Sequence, residues 1–249
     1  MEPKRSLAKV VAFSEDALTH GGYKYSTNAS LSSRMANRRI GDAILELVDF
    51  RGRTVIDIGC GDGVYTVGIL EQGNPSRLHG SDLAQPAVHL GSRRAEAGSI
   101  TFDVATAHQL PFADSSFDIA HVRGVLHHMD YPQLAIQEAL RVARQIVVAE
   151  PNGNNLGVKL IERTSPYHRE HQEKSYSSGR LNRWVREAGG VITRAKWIGL
   201  VPMFSPDWLA KMAKGVEPYL EEAPVLARLA CAVYVFVAER SEQAEGMRT

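Results

Sequence analysis

The sequence predicts an α/β fold in which a parallel sheet is wound with helices on both faces. Three observations lead there. Short β-branched runs alternate with helix-length stretches from residue 54 to residue 150. The first run enters a turn with three glycines, Gly59, Gly61 and Gly63, before a helical stretch. Hydrophobic residues make up 44% of the 249 residues and charged residues 23%, enough to fill a two-sided core.

The elements follow in order. Residues 1–29 carry Gly21, Gly22, Tyr23 and Tyr25 among polar residues and read as a helix or two ahead of a flexible stretch. Ser30 to Ser33 offer N-caps, and Ile40, Ala43, Ile44, Leu47 and Val48 then form the apolar stripe of an amphipathic helix. Strands are expected at 54–58, 77–82, 100–104, 117–122 and 145–150. Helices are expected at 64–71, 86–97 and 132–143, the second opened by Pro86 in its first turn. Residues 151–177 look like a polar loop or helical insert. Leu181–Ala188 reads as a helix ended by Gly189 and Gly190, and 191–199 as a strand. Residues 206–229 read as mainly helical, and 231–238 as a last apolar strand. This organisation gives an N-terminal lid over 1–40 and a main domain over 41–240. Candidate substrate caps fall at 151–180 and 200–229, and a disordered tail at 241–249.

Composition narrows the function. Lys plus Arg (29) nearly cancels Asp plus Glu (28), so no global field draws the chain to nucleic acid or an anionic membrane. Nucleic acid and membrane are therefore not expected as partners. The longest apolar run falls well short of the ~20 residues that span a bilayer. Cys60 and Cys231 lie far apart, outside any metal or disulfide pattern, which fits a cytoplasmic location. His168 and His171 read as solvated loop histidines, and no metal site is expected.

The most informative segment is Val55-Ile56-Asp57-Ile58-Gly59-Cys60-Gly61-Asp62-Gly63. Glycines here let a ligand touch the backbone at the start of a helix. Dinucleotide-binding folds use such a turn too, so the glycines alone decide little. The acids discriminate. Asp57 and Asp62, with no Lys or Arg in the turn, suit a ligand bearing an ammonium and a sulfonium, as S-adenosylmethionine (SAM) does, better than a pyrophosphate. Asp82 ends the second strand, where a carboxylate accepts hydrogen bonds from ribose hydroxyls of SAM or NAD alike.

Four segments together resemble the class I SAM-dependent methyltransferases, in particular the small-molecule enzymes of the type 11 methyltransferase domain. They are VIDIGCGDG (55–63), GSDLA (80–84), HQLPFADSSFDIAHV (108–122) and VLHHMDYPQLAIQEALRVAR (125–144). The resemblance implies a seven-stranded, mostly parallel sheet of order 3-2-1-4-5-7-6 with helical cap insertions. It implies SAM as cofactor and a small-molecule methyl acceptor. It places Asp57, Gly59, Cys60 and Gly61 along the methionine end of SAM, Asp82 on the ribose and Leu83 against the adenine. Thr106, Ala107 and His108 would meet the adenine edge, and Arg123 would stand beside the cofactor near the substrate. Two positions depart from the family. Thr106 stands where an aspartate is usual, and Arg144-Gln145 replaces a Pro-Gly-Gly turn, shortening that connection.

Methyl transfer from a sulfonium needs alignment first, and a base only if the acceptor must lose a proton. The run Arg123-x-x-Leu126-His127 is similar to that of phosphoethanolamine methyltransferases. By that resemblance His127 is the first candidate base, with Tyr23 or Tyr25 as its partner and Tyr25 also near the cofactor. A packing or capping role for His127 is the structural alternative. Residues 159–196 hold nine Lys or Arg against four acids, which suits either an anionic substrate or a solvated basic face. The same stretch keeps an RNA methyltransferase in view, although no RNA-binding module is visible. Trp184, Trp197, Phe204 and Trp208 read as core more than as a pocket floor. The acidic turn opposes an NAD-dependent oxidoreductase, and a non-catalytic SAM-binding protein is separable only by assay.

Overall fold

The structure is a computed structural model, and it describes residues 11, 14, 15, 18, 19, 21–96, 98–165 and 174–241. The expectations for His168, His171, the first part of the lid and the tail beyond residue 241 fall outside the described residues.

Seven strands form one sheet: β1 (Thr54–Ile58), β2 (Arg77–Asp82), β3 (Thr101–Val104), β4 (Phe117–Arg123), β5 (Ala143–Pro151), β6 (Gly190–Ile198) and β7 (Val233–Arg240). Their order is β3-β2-β1-β4-β5-β7-β6. The first five run parallel, and β7 runs antiparallel to both β5 and β6. The chain builds outward from β1 to β3, then restarts on the other side at β4. That reversal opens a crevice at the carboxyl ends of β1 and β4, where ligands of such sheets bind.

The described helices are α1 (Lys24–Thr27), α2 (Leu31–Leu47), α3 (Val64–Gly73), α4 (Gln85–Arg94), α5 (Pro132–Val142), α6 (Leu156–Thr164), α7 (Ser178–Glu187), α8 (Asp207–Glu221) and α9 (Pro224–Ala230). Two apolar layers sandwich the sheet. On one face Ile136, Ala139 and Leu140 of α5 and Leu181 and Val185 of α7 pack against alternate residues of β4, β5 and β7. On the other, Ile40, Ala43, Ile44 and Leu47 of α2 and Ile69 of α3 pack with Val55, Val147 and Val235. β5 and β7 are buried on both faces, which explains their uninterrupted apolar runs.

Several boundaries differ from expectation for local reasons. The expected division at 40/41 falls inside α2, whose apolar stripe packs on the sheet. α4 stops at Arg94 because Ser99 N bonds back to Glu96 O in a turn. α5 passes into β5 with no intervening residue, which is the shortened connection at Arg144-Gln145. The helical stretch after 206 is two helices, with Pro224 opening the second.

Candidate active site

β1 runs into the glycine turn, and three left-handed glycines (Gly59, Gly61, Gly63) bend the chain into α3. Two of them are fixed by close approach as well as by φ. A Cβ on Gly59 would sit 2.5 Å from Val125 Cγ2, and one on Gly61 would sit 2.6 Å from the Tyr23 ring. The turn is thus pressed between the segment after β4 and residues 21–27, which carry α1.

Beneath it, Asp57 is buried with both oxygens engaged. Oδ2 accepts from the Thr66 hydroxyl at 2.5 Å and Oδ1 pairs with His121 Nδ1 at 2.7 Å. Through these partners Asp57, expected along the methionine end, braces β1, β4 and α3. Asp62 ties down the N-terminal segment, since its Oδ2 accepts from the Ser26 hydroxyl at 2.8 Å and from Tyr23 N at 3.2 Å. Arg94 approaches the same oxygen at 3.5 Å.

Asp82, at the end of β2, is half-buried on the cavity wall. Its oxygens accept from Gly61 N and Ala84 N at 2.9 and 2.8 Å, so it fixes the turn as well as facing the cavity. Burial, with the charge of Asp57 nearby, pushes its carboxyl above the usual aspartate range. Leu83 follows, exposed into the cavity. Thr106, Ala107 and His108 line the same end, and the Thr106 hydroxyl accepts from His108 N at 3.3 Å.

Beyond β4, Arg123 also lines the cavity. Its guanidinium lies 3.6 Å above the Tyr65 ring and donates to Asn37 Oδ1 at 3.0 Å, joining β4 to α2 and α3. A short 3-10 turn, Leu126–His128, then brings His127 to the wall. Glu150, buried at the end of β5, organises that turn. Oε1 accepts from Val125 N and Leu126 N at 2.7 and 2.8 Å. Oε2 accepts from His127 N at 3.2 Å and pairs with His127 Nδ1 at 2.7 Å. A carboxylate among three backbone donors can only accept, so Nδ1 carries the proton toward it. The Nδ1 partner is thus Glu150. Tyr23 packs against Gly61 and Ala84, and the Tyr25 ring meets Phe204 at 5.3 Å between centroids.

These residues surround one cavity of about 1430 Å³. A single ligand pocket usually measures ~300–1,000 Å³. The volume continues from the glycine turn, past His127, to a largely apolar half walled by Val158, Ile161, Leu200, Val201, Met203 and Phe204. Among the described residues no cluster of His, Cys, Asp and Glu has the makings of a metal site.

Comparison with known proteins adds the family. A model described as a methyltransferase domain matches residues 56–146. The chain is 30% identical over 205 residues to a 37.1 kDa protein of transposon TN4556 from Streptomyces fradiae, covering 78% of this chain and 59% of that protein. It is 30% identical over 130 residues to the 27-O-demethylrifamycin SV methyltransferase of Amycolatopsis mediterranei, covering 50% and 47%. The chain thus spans about half to three-fifths of the length of these relatives. The solved magnesium protoporphyrin IX methyltransferase of Synechocystis PCC 6803 superposes with a TM-score of 0.59 at 15% identity, covering 86% of this chain and 89% of that one.

Residues 56–146 thus match a methyltransferase domain, within a chain that folds like solved SAM-dependent methyltransferases. Its cofactor is S-adenosylmethionine. The donor set fits that group: the turn presents backbone without Cβ atoms, Asp62 and Asp82 face the cavity, and the turn holds no cation. Of the residues singled out in the sequence, Gly59, Cys60, Gly61, Asp82, Leu83, Thr106, Ala107, His108, Arg123, His127, Tyr23 and Tyr25 line this one cavity. Phe204 lines the cavity, Trp208 is exposed, and Trp184 and Trp197 pack on the core. Sequence reasoning missed Glu150. Its signal was an acid closing the apolar run Ile146-Val147-Val148-Ala149, at the strand end where ligands bind.

Proposed function

We propose that this methyltransferase moves the SAM methyl group to a hydroxyl oxygen of a small, largely apolar acceptor, with His127 as the base. The observation that carries the reading is the 2.7 Å pair of His127 Nδ1 with Glu150 on the wall of a cavity larger than one ligand needs. A relative named for O-demethylrifamycin methylation agrees with an oxygen acceptor.

In this reading Gly59, Cys60 and Gly61 receive the methionine end, Asp82 accepts from the ribose hydroxyls, and Leu83 with Thr106, Ala107 and His108 frames the adenine. Tyr23 and Tyr25 cover the cofactor from the N-terminal side, and Arg123 rests between cofactor and acceptor. The sulfonium supplies an activated methyl group. The remaining requirement is to remove the hydroxyl proton as the new C–O bond forms and the S–C bond breaks. With Nδ1 fixed on Glu150, that proton passes to His127 Nε2, and the carboxylate stabilises the resulting imidazolium. The apolar half of the cavity excludes water and seats the acceptor.

The test is methyl transfer from deuterated SAM to a panel of hydroxylated aromatic and polyketide acceptors, read by product mass and by the site of the label. Labelled O-methyl product, with His127→Ala slowed by ~10²-fold or more at unchanged S-adenosylhomocysteine affinity, is the expected result. Label on nitrogen or carbon, at a rate indifferent to His127, would replace this proposal.

A further inference from the structure

The cap helices show a second feature outside the cavity. On α8, Trp208, Met212, Val216 and Tyr219 lie at helical spacing on the outer face, with Trp208 64% and Tyr219 76% exposed. On α9, Val225, Leu226 and Leu229 are each more than half exposed. On α6, Leu156 and Leu160 face out, Leu156 at 82% exposure. α9 packs against both α8 and α6, so the three faces adjoin. Scattered apolar side chains are normal on a protein surface, but a contiguous set on three adjoining helices marks an interaction site.

The charges on these helices are sorted by side. The acids turn inward: Glu217 accepts from Leu200 N and pairs with Lys214, Glu221 accepts from Gly199 N and from Arg39, and Glu162 pairs with Lys159. The outward charges beside the apolar patch are Arg163, Lys211 and Arg228, with exposed acids only at the two ends of α8, Asp207 and Glu222. Arg228 lies on α9, the middle helix. Cations outnumber acids beside the patch, three to two, with Arg228 at its middle, and an anionic bilayer would match them. Trp and Tyr with flanking cations are the residues that settle at a lipid interface.

We propose that the outer face of α6, α8 and α9 docks on an anionic lipid surface. Val158 and Ile161 of α6 line the cavity from the inner side of the same helix, so docking sets the apolar half of the cavity beside the bilayer. No helix among the described residues is long and apolar enough to cross a membrane. The docking is peripheral, and near-neutral overall charge does not oppose it, because the sorting is local.

The test is flotation of the full chain with vesicles of phosphatidylcholine alone and with about a quarter phosphatidylglycerol added. Flotation with the anionic vesicles is expected. Leu229→Ser and Trp208→Ser should each weaken it about tenfold or more. Arg228→Gln should weaken it about fivefold. S-adenosylhomocysteine affinity should stay unchanged in all three, which reports intact folding. Should a variant fail to fold, quenching of Trp208 by brominated lipid in the unaltered chain, with Trp208→Phe as background, replaces it. Absence of flotation with either vesicle overturns the proposal. So does a dimer, by sedimentation velocity, that these same variants dissociate, which would make the face an interface between copies.

Discussion

Replacing Glu150 by glutamine tests the site more sharply than removing the histidine, because it changes one atom. Glu150 takes four hydrogen bonds, two on each oxygen. In Glu150→Gln the amide oxygen keeps Val125 N and Leu126 N, and the NH2 group then faces His127 N and Nδ1. Nδ1 can turn acceptor only if the imidazole moves its proton to Nε2. His127 N is left opposite a donor, which costs about 1–3 kcal/mol, and the two surviving bonds lose their charge assistance. Destabilisation of about 2–4 kcal/mol follows. The kinetic effect is larger, since Nε2 now carries a proton and cannot accept one. A wrong tautomer costs ~10⁴ in the serine-protease triad, and we expect ~10²–10⁴ here. The assay is kcat at saturating SAM, with nitrogen-15 NMR of His127 to read the tautomer and calorimetry with S-adenosylhomocysteine to show an intact cofactor wall. A glutamine variant whose tautomer has switched but whose rate is unchanged would refute the base assignment.

Three further outcomes follow from geometry already described. The raised carboxyl of Asp82 must be ionised to accept two hydroxyl bonds, so S-adenosylhomocysteine affinity should fall as pH drops through a range above that of an ordinary aspartate. Asp82→Asn should weaken binding about tenfold or more and abolish that pH dependence in calorimetry, whereas an unchanged titration would detach Asp82 from the ribose. Gly59→Ala places a methyl group 2.5 Å from Val125 at φ +74, and urea unfolding should show a loss of about 2–5 kcal/mol, a value below ~1 meaning the turn can shift. Burial pushes Cys231 up to about 12 and Cys60 well above its usual value, so neither thiol should react with iodoacetamide at about pH 8 in the folded protein, and rapid labelling would reveal local opening.

What could be read from the sequence follows the range of the interactions. β1 and β2 fall on their expected residues, β1 as a mostly apolar run closed by Gly59 and β2 as a short stretch closed by Asp82. The wall from Gly59 to Asp82 was equally legible, since adjacent residues build it. The bracing role of Asp57 was not legible, because its partner His121 lies 64 residues away and the pairing exists only once β1 and β4 are side by side. Glu150 escaped for the same reason, 23 residues from the histidine it orients. The apolar outer face of α6, α8 and α9 was not legible, because net charge and composition average over surfaces that the fold separates.

The place of β7 bears on how the chain is made. It follows the other six strands of the sheet in the chain, yet it lies inside the sheet between β5 and β6. Until residue 240 has left the ribosome, β6 has no partner and β5 shows an open edge. The amino-terminal strands can pair as they emerge, but the sheet closes only afterwards. A message truncated before Val233 would therefore yield not a smaller enzyme but a sticky fragment, and quality control would meet it as such.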